Sequence, residues 1–85
     1  MNLEFTPDAW EDYLHWQSED KAVYRKLNSL IRDILRDPGS RGIGKSERLG
    51  RDLQGFFSRH ISGEHRLVYT FRGERLFITQ CRFHY

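Results

Sequence analysis

The fold is decided by the stretch HRLVYTFRGERLFITQCRFHY, residues 65–85. Its two arms, residues 65–71 and 76–85, are rich in aromatic and β-branched side chains. They flank Arg72-Gly73-Glu74-Arg75. Arms of that composition around a glycine-bearing turn predict an antiparallel hairpin. A three-residue loop, Gly73 to Arg75, sets Arg72 opposite Leu76. One face then collects Leu67, Tyr69, Phe71, Phe77, Cys81 and Phe83, with Thr79 its only clearly polar member. The other collects Arg66, Val68, Thr70, Ile78, Gln80, Arg82 and His84. The first set suits a core and the second a polar surface. A two-residue loop would mix the sets, since a one-residue slip moves every side chain to the other face. The three-residue register is therefore expected, with a bulge able to shift it locally.

Working outward, residues 56–61 read as a preceding strand, so the last three strands form an antiparallel sheet. Residues 39–51, GSRGIGKSERLGR, hold four glycines, four cations and one acid, Glu47. This is loop composition, and it lacks the glycine and lysine spacing of a phosphate-binding loop. Upstream, Val23, Leu27, Leu30, Ile31, Ile34 and Leu35 recur at helical spacing. Asp20 caps that helix and Pro38-Gly39 stops it. An earlier helix starts at Thr6-Pro7 and shows Trp10, Tyr13, Leu14 and Gln17 on one side. Leu3 and Phe5 alternate in a short N-terminal strand. The order is β-α-α-β-β-β. It predicts an α+β domain of two N-terminal helices packed on a twisted antiparallel sheet.

With 85 residues, one domain spanning 1–85 is expected. Fourteen per cent aromatic residues supply bulk for a core that is small at this length. Charged content of 31% against 38% hydrophobic suits a soluble globule rather than a disordered chain. No segment nears the ~18 apolar residues of a membrane span, and the N-terminus lacks the pattern of a secretory signal. The single cysteine, Cys81, has no internal disulfide partner. Together these point to the cytoplasm. Charge is uneven: residues 1–38 carry 8 acids and 5 bases, residues 39–85 carry 4 acids and 9 bases. The second half therefore suits either a polyanion partner or a solvated basic surface.

Cys81-x-x-His84, with His60 and His65 nearby, invites a metal reading. Residues an odd number apart on a strand point to opposite faces, so neither metal nor cofactor is expected. Cys81 falls on the core face as a small buried hydrophobe. The remaining constellation is Glu47, Arg66 and His84, with Tyr85 beside them and cations around. These groups suit metal-free cleavage of RNA. A carboxylate can take the 2′-OH proton, a guanidinium can clamp the phosphate, and an imidazole can protonate the leaving 5′-oxygen. The same basic face would equally serve a non-catalytic RNA- or ribosome-binding module that needs no acid–base pair, and a third reading is a domain that only pairs with a protein partner.

The stretches AWEDYLHWQSEDK (residues 9–21), GIGKSERL (42–49), GFFSRHISGEHRLVY (55–69) and CRFHY (81–85) resemble the YoeB/Txe family of bacterial toxins within the RelE superfamily, nearly end to end. The resemblance implies a microbial-RNase-like fold. It also implies a ribosome-dependent mRNA endonuclease that cuts A-site codons and stops translation. The implied partners are a YefM-like antitoxin, mRNA on the 70S ribosome, operator DNA bound only as the toxin–antitoxin complex, and a second copy in a homodimer. No membrane is implied. By motif position, Glu47 is the implied general base, Arg66 stabilises the phosphate, His84 is the general acid and Tyr85 positions the substrate. Lys45, Arg48, Arg51, Arg59, His60 and Arg82 are the expected RNA contacts. The chain departs from the family at Ser46 and Arg48, where prolines are usual, and at Gly50, where a lysine is common with Arg51 next to it here. It also has Arg59-His60 in place of Arg-Arg.

Overall fold

Helix starts are what this chain marks most plainly. The computed structural model describes residues 1–38, 47–50 and 54–83 and, at Glu47, the backbone. Thr6 Oγ1 accepts the Ala9 N–H at 3.1 Å, and Pro7 opens α1 (Pro7–Glu19). Asp20 Oδ1 accepts the Ala22 and Val23 N–H groups at 3.1 and 3.2 Å and caps α2 (Lys21–Arg36). Each cap satisfies amide donors that the first helical turn leaves without partners.

The two helices cover one face of a five-stranded sheet. Its strands are β1 (Asn2–Phe5), β2 (Glu47–Arg48), β3 (Phe57–Ser62), β4 (His65–Arg72) and β5 (Arg75–Gln80), in the order β1-β5-β4-β3-β2. The architecture is the expected α+β one, with two additions. β1 pairs with β5 in parallel, so the sheet is mixed. The expected loop also contributes β2, which pairs antiparallel with β3. α2 buries Val23, Leu27, Leu30, Ile31 and Ile34, as its periodicity predicts. Each fully buried leucine or isoleucine stabilises the fold by about 1.5–3 kcal/mol. α1 turns differently from the expectation. Ala9 and Trp16 are buried while Trp10 remains 46% exposed, stacked on Tyr13 at 5.6 Å along an outer groove.

The final hairpin corrects the predicted register. Arg72 pairs with Arg75 and Phe71 with Leu76, so the loop is the two residues Gly73-Glu74. Gly73 adopts φ 59°, the left-handed start that tight hairpins favour. The shift from Tyr69↔Ile78 to Val68↔Gln80 leaves Thr79 as an extra residue, a β-bulge. Before the bulge, Leu76 and Ile78 enter the core; after it, Cys81 does. Phe77 therefore lies on the other face, with Arg72 over its ring at 4.6 Å. Phe83, also expected in the core, is 51% exposed. The two apolar phases of this strand are joined by the bulge instead of excluding one another.

Candidate active site

Strand alternation sorts the cations. In β3, Phe57, Arg59 and Ile61 share one side and Ser58 and His60 the other. Pairing sets Ser58 opposite Val68, Arg59 opposite Leu67 and His60 opposite Arg66. Arg59 consequently faces the helices, is fully enclosed and bonds Asp33 Oδ2 at 2.6 Å and the Tyr69 hydroxyl at 3.2 Å. Burial works against its charge, but the Asp33 and Tyr69 hydrogen bonds outweigh it and raise its pKa further. The expectation that Arg59 contacts RNA is corrected: it is a core ion-pair residue, because its alternation phase is that of Phe57 and Ile61. Asp33 was not anticipated as its partner, although it falls within the buried stripe of α2.

On the opposite face, Arg66 is half-buried and its Nε donates to the Ser58 hydroxyl at 2.9 Å. Ser58 is itself fully buried and pairs across β2–β3 with Glu47. Position 47 is thus directly opposite the residue that holds the Arg66 guanidinium. His60, the register partner of Arg66, is exposed, and its Nε2 donates to the Gly63 carbonyl at 3.0 Å. Arg48 is exposed and borders a surface recess of about 410 Å³ with Leu49, Gln54 and Phe56.

The segment after β5 runs alongside Arg66. The Arg66 N–H donates to the Phe83 carbonyl at 3.1 Å. Trp16 Nε1 donates to the Cys81 carbonyl at 2.7 Å, and the Cys81 N–H donates to Asp12 Oδ2 at 3.2 Å. Burial pushes Asp12 above its ordinary value of 3.8, against the lowering effects of the Cys81 N–H and of Arg82. Cys81 is fully buried, as expected, and burial pushes its thiol well above the usual range. Arg82 stacks over the Phe83 ring at 4.5 Å and shares a recess with Asp8, Glu11 and Asp12. Those acids make a poor place for a phosphate, which sets Arg82 apart from Arg66 and His60.

Of the expected site residues, the structure brings Arg66, His60 and the backbone position of Glu47 to one face. Lys45, Arg51, His84 and Tyr85 lie outside the described residues. The sequence reading missed Ser58, Trp16, Asp12 and His65. Ser58 was readable only from its pairing, and Trp16 was hidden by the competing phase of Trp10.

Comparison with known proteins identifies the family. Residues 5–85 match the model of a family described as "YoeB-like toxin of bacterial type II toxin-antitoxin system". A toxin YoeB of Streptomyces coelicolor is 48% identical over 85 residues, covering 100% of both chains. The structure titled YoeB/ParE toxin from Agrobacterium tumefaciens superposes with a TM-score of 0.93 at 46% identity, covering 100% of both chains. Staphylococcus aureus YoeB, described as a dimer, superposes with a TM-score of 0.91 at 44% identity, covering 100% of this chain and 98% of that one. A heterotetrameric complex of the S. aureus protein with YefM gives 0.90 at the same identity and coverage. The chain belongs to the YoeB-like toxins of bacterial type II toxin–antitoxin systems.

Proposed function

We propose that the protein is a ribosome-dependent mRNA endoribonuclease that cleaves A-site codons without a metal and so inhibits translation. The observation that carries the reading is the bond from the Arg66 N–H to the Phe83 carbonyl, 3.1 Å long. It brings the residue before His84 beside Arg66, whose guanidinium is held by the residue paired with Glu47. The backbone of Phe83 at Arg66 and the pairing of Glu47 with Ser58 are what support grouping these motif positions in one site.

The chemistry balances without outside help. Glu47 takes the proton of the 2′-OH, and the resulting oxyanion attacks the adjacent phosphorus. Arg66 stabilises the charge gathering on the phosphate oxygens. The bond from phosphorus to the 5′-oxygen breaks, leaving a 2′,3′-cyclic phosphate, and His84 donates the proton that the leaving oxygen needs. Tyr85 positions the substrate, and Lys45, Arg48, Arg51 and His60 supply further contacts to the RNA. The proposed partners are a YefM-like antitoxin, operator DNA when bound to it, and a second copy of the chain, as in the S. aureus structures. mRNA on the 70S ribosome as substrate sets the action in the cytoplasm.

Primer extension on mRNA in a translating extract, with and without ribosomes, tests the reading. Wild-type protein is expected to give discrete cuts only with ribosomes, and Glu47→Ala and His84→Ala to abolish them while remaining folded. Translation arrest by the wild type with intact mRNA would leave a non-catalytic binding module in its place.

A further inference from the structure

Phe83 has φ 65°, a left-handed conformation that bulky residues rarely adopt. Such a backbone persists only where its surroundings determine it. Here the Gln80 side chain donates to the Arg82 and Phe83 carbonyls at 3.0 and 3.2 Å, and the Arg66 N–H also reaches the Phe83 carbonyl. All of these bonds hold carbonyls. The Phe83 N–H goes instead to a side chain, His65 Nδ1, at 2.7 Å. An Nδ1 that accepts carries no proton, so the imidazole is neutral with its hydrogen on Nε2. The ring is fixed from both sides, edge-on to Trp16 at 4.7 Å and tilted against Phe83 at 5.6 Å. Trp16 in turn holds the Cys81 carbonyl. His65 is therefore braced by α1 and aimed at a single main-chain donor two residues beyond Cys81.

We propose that His65 is a positioning residue for the cleavage reaction: by accepting the Phe83 amide hydrogen it locks the left-handed turn at Phe83 and so sets the direction in which the chain enters position 84. The inference rests on reading His84 as the proton donor. A proton donor must be held in place, since a misplacement of about 1 Å can cost on the order of 100-fold in rate. His65 touches neither the RNA nor the reacting atoms; it acts through the backbone of Phe83.

Two variants separate this role from ordinary packing. His65→Phe keeps a ring between Trp16 and Phe83 and removes the acceptor. His65→Asn removes the ring and keeps an acceptor oxygen close to where Nδ1 stands. If the acceptor sets the turn, His65→Phe keeps a near wild-type Tm and loses roughly 100-fold in single-turnover cleavage on programmed ribosomes, with ribosome affinity unchanged. His65→Asn then has the lower Tm and stays within a few-fold of wild-type cleavage. Wild-type cleavage by His65→Phe, or equal losses in both folded variants, would overturn the proposal. A readout independent of activity uses the wild type alone: NMR should detect a scalar coupling across the hydrogen bond between the Phe83 and His65 Nδ1 nitrogens. Its absence also overturns the proposal. A wild-type protein that shows the coupling but cuts no mRNA would refute the nuclease reading and leave the turn geometry standing.

Discussion

Arg59 and Arg66 stand on neighbouring strands, one register step apart, and face opposite ways. Arg59 lies under the helices, fully enclosed, bonded to Asp33 and Tyr69. Arg66 lies on the uncovered face, half-buried, its Nε held by a serine hydroxyl. The difference comes from strand parity. A guanidinium on the core side must have a carboxylate with it, because a buried charge is tolerated only when paired. One on the outer side, only half-buried, keeps part of its hydration and needs no enclosed carboxylate. These two basic residues are thus divided between the core side of the sheet and its outer side.

The largest expected effect comes from breaking the enclosed pair. Arg59→Met should destabilise the fold by about 3 kcal/mol, the low end for breaking a buried pair, because Asp33 loses its enclosed partner but still meets Arg36; a urea titration measures this. The matching Arg66→Met should cost less stability, because the half-buried Arg66 side chain is not enclosed in the core. It should instead reduce ribosome-dependent cleavage by about 10²- to 10³-fold, the usual loss when a transition-state donor is removed. If the two variants traded effects, the division of labour between the faces would be wrong.

The smallest expected effect concerns the other acid on the helix side. Asp12 meets the Cys81 N–H rather than an enclosing arginine, and burial raises its pKa above 3.8. The folded protein therefore holds this proton more tightly than the unfolded chain does. Stability from this group is complete below the unfolded value and is lost as pH rises through the folded one. Asp12→Asn can still accept from Cys81 and should flatten that part of the stability curve. Thermal melts across the range just above pH 3.8, compared with wild type, would show it. An unchanged slope would mean that the Cys81 N–H stabilises the carboxylate enough to offset burial.

The sequence made much of this legible, for reasons that also explain its failures. The α2 stripe is readable because six apolar residues fit one helical phase and no other. The caps at Thr6 and Asp20 are readable because their chemistry is local. α1 offered two aromatic phases, one through Trp10 and one through Trp16, and only contact with the sheet chose between them. β5 is apolar on both sides, with Leu76 and Ile78 in one phase and Phe77 in the other, so alternation could not fix the turn length or reveal the bulge at Thr79. Arg59 was readable from the phase of Phe57 and Ile61, but a positive charge invited an outward reading. Glu47, Arg66 and His84 were suggested by their chemistry and given roles by motif. Ser58 and His65, which hold what surrounds them, carry no motif signal of their own role and emerge only from the folded geometry.

The sheet order has a consequence for how the molecule comes into being. β5, the last in chain order of the described strands, is interior, lying between β1 and β4. The contacts that tie it to the start of the chain close very long loops: Thr6 to the Thr79 carbonyl across 73 residues, and Trp16 to the Cys81 carbonyl across 65. Such closures are slow. A nascent chain that has not yet produced residues 75–80 has no strand to join β1 to β4, so it should remain sensitive to protease. Protection should appear in a single step once those residues are free to fold. Late assembly thus makes the finished sheet an all-or-none product of a chain that has delivered residues 75–80.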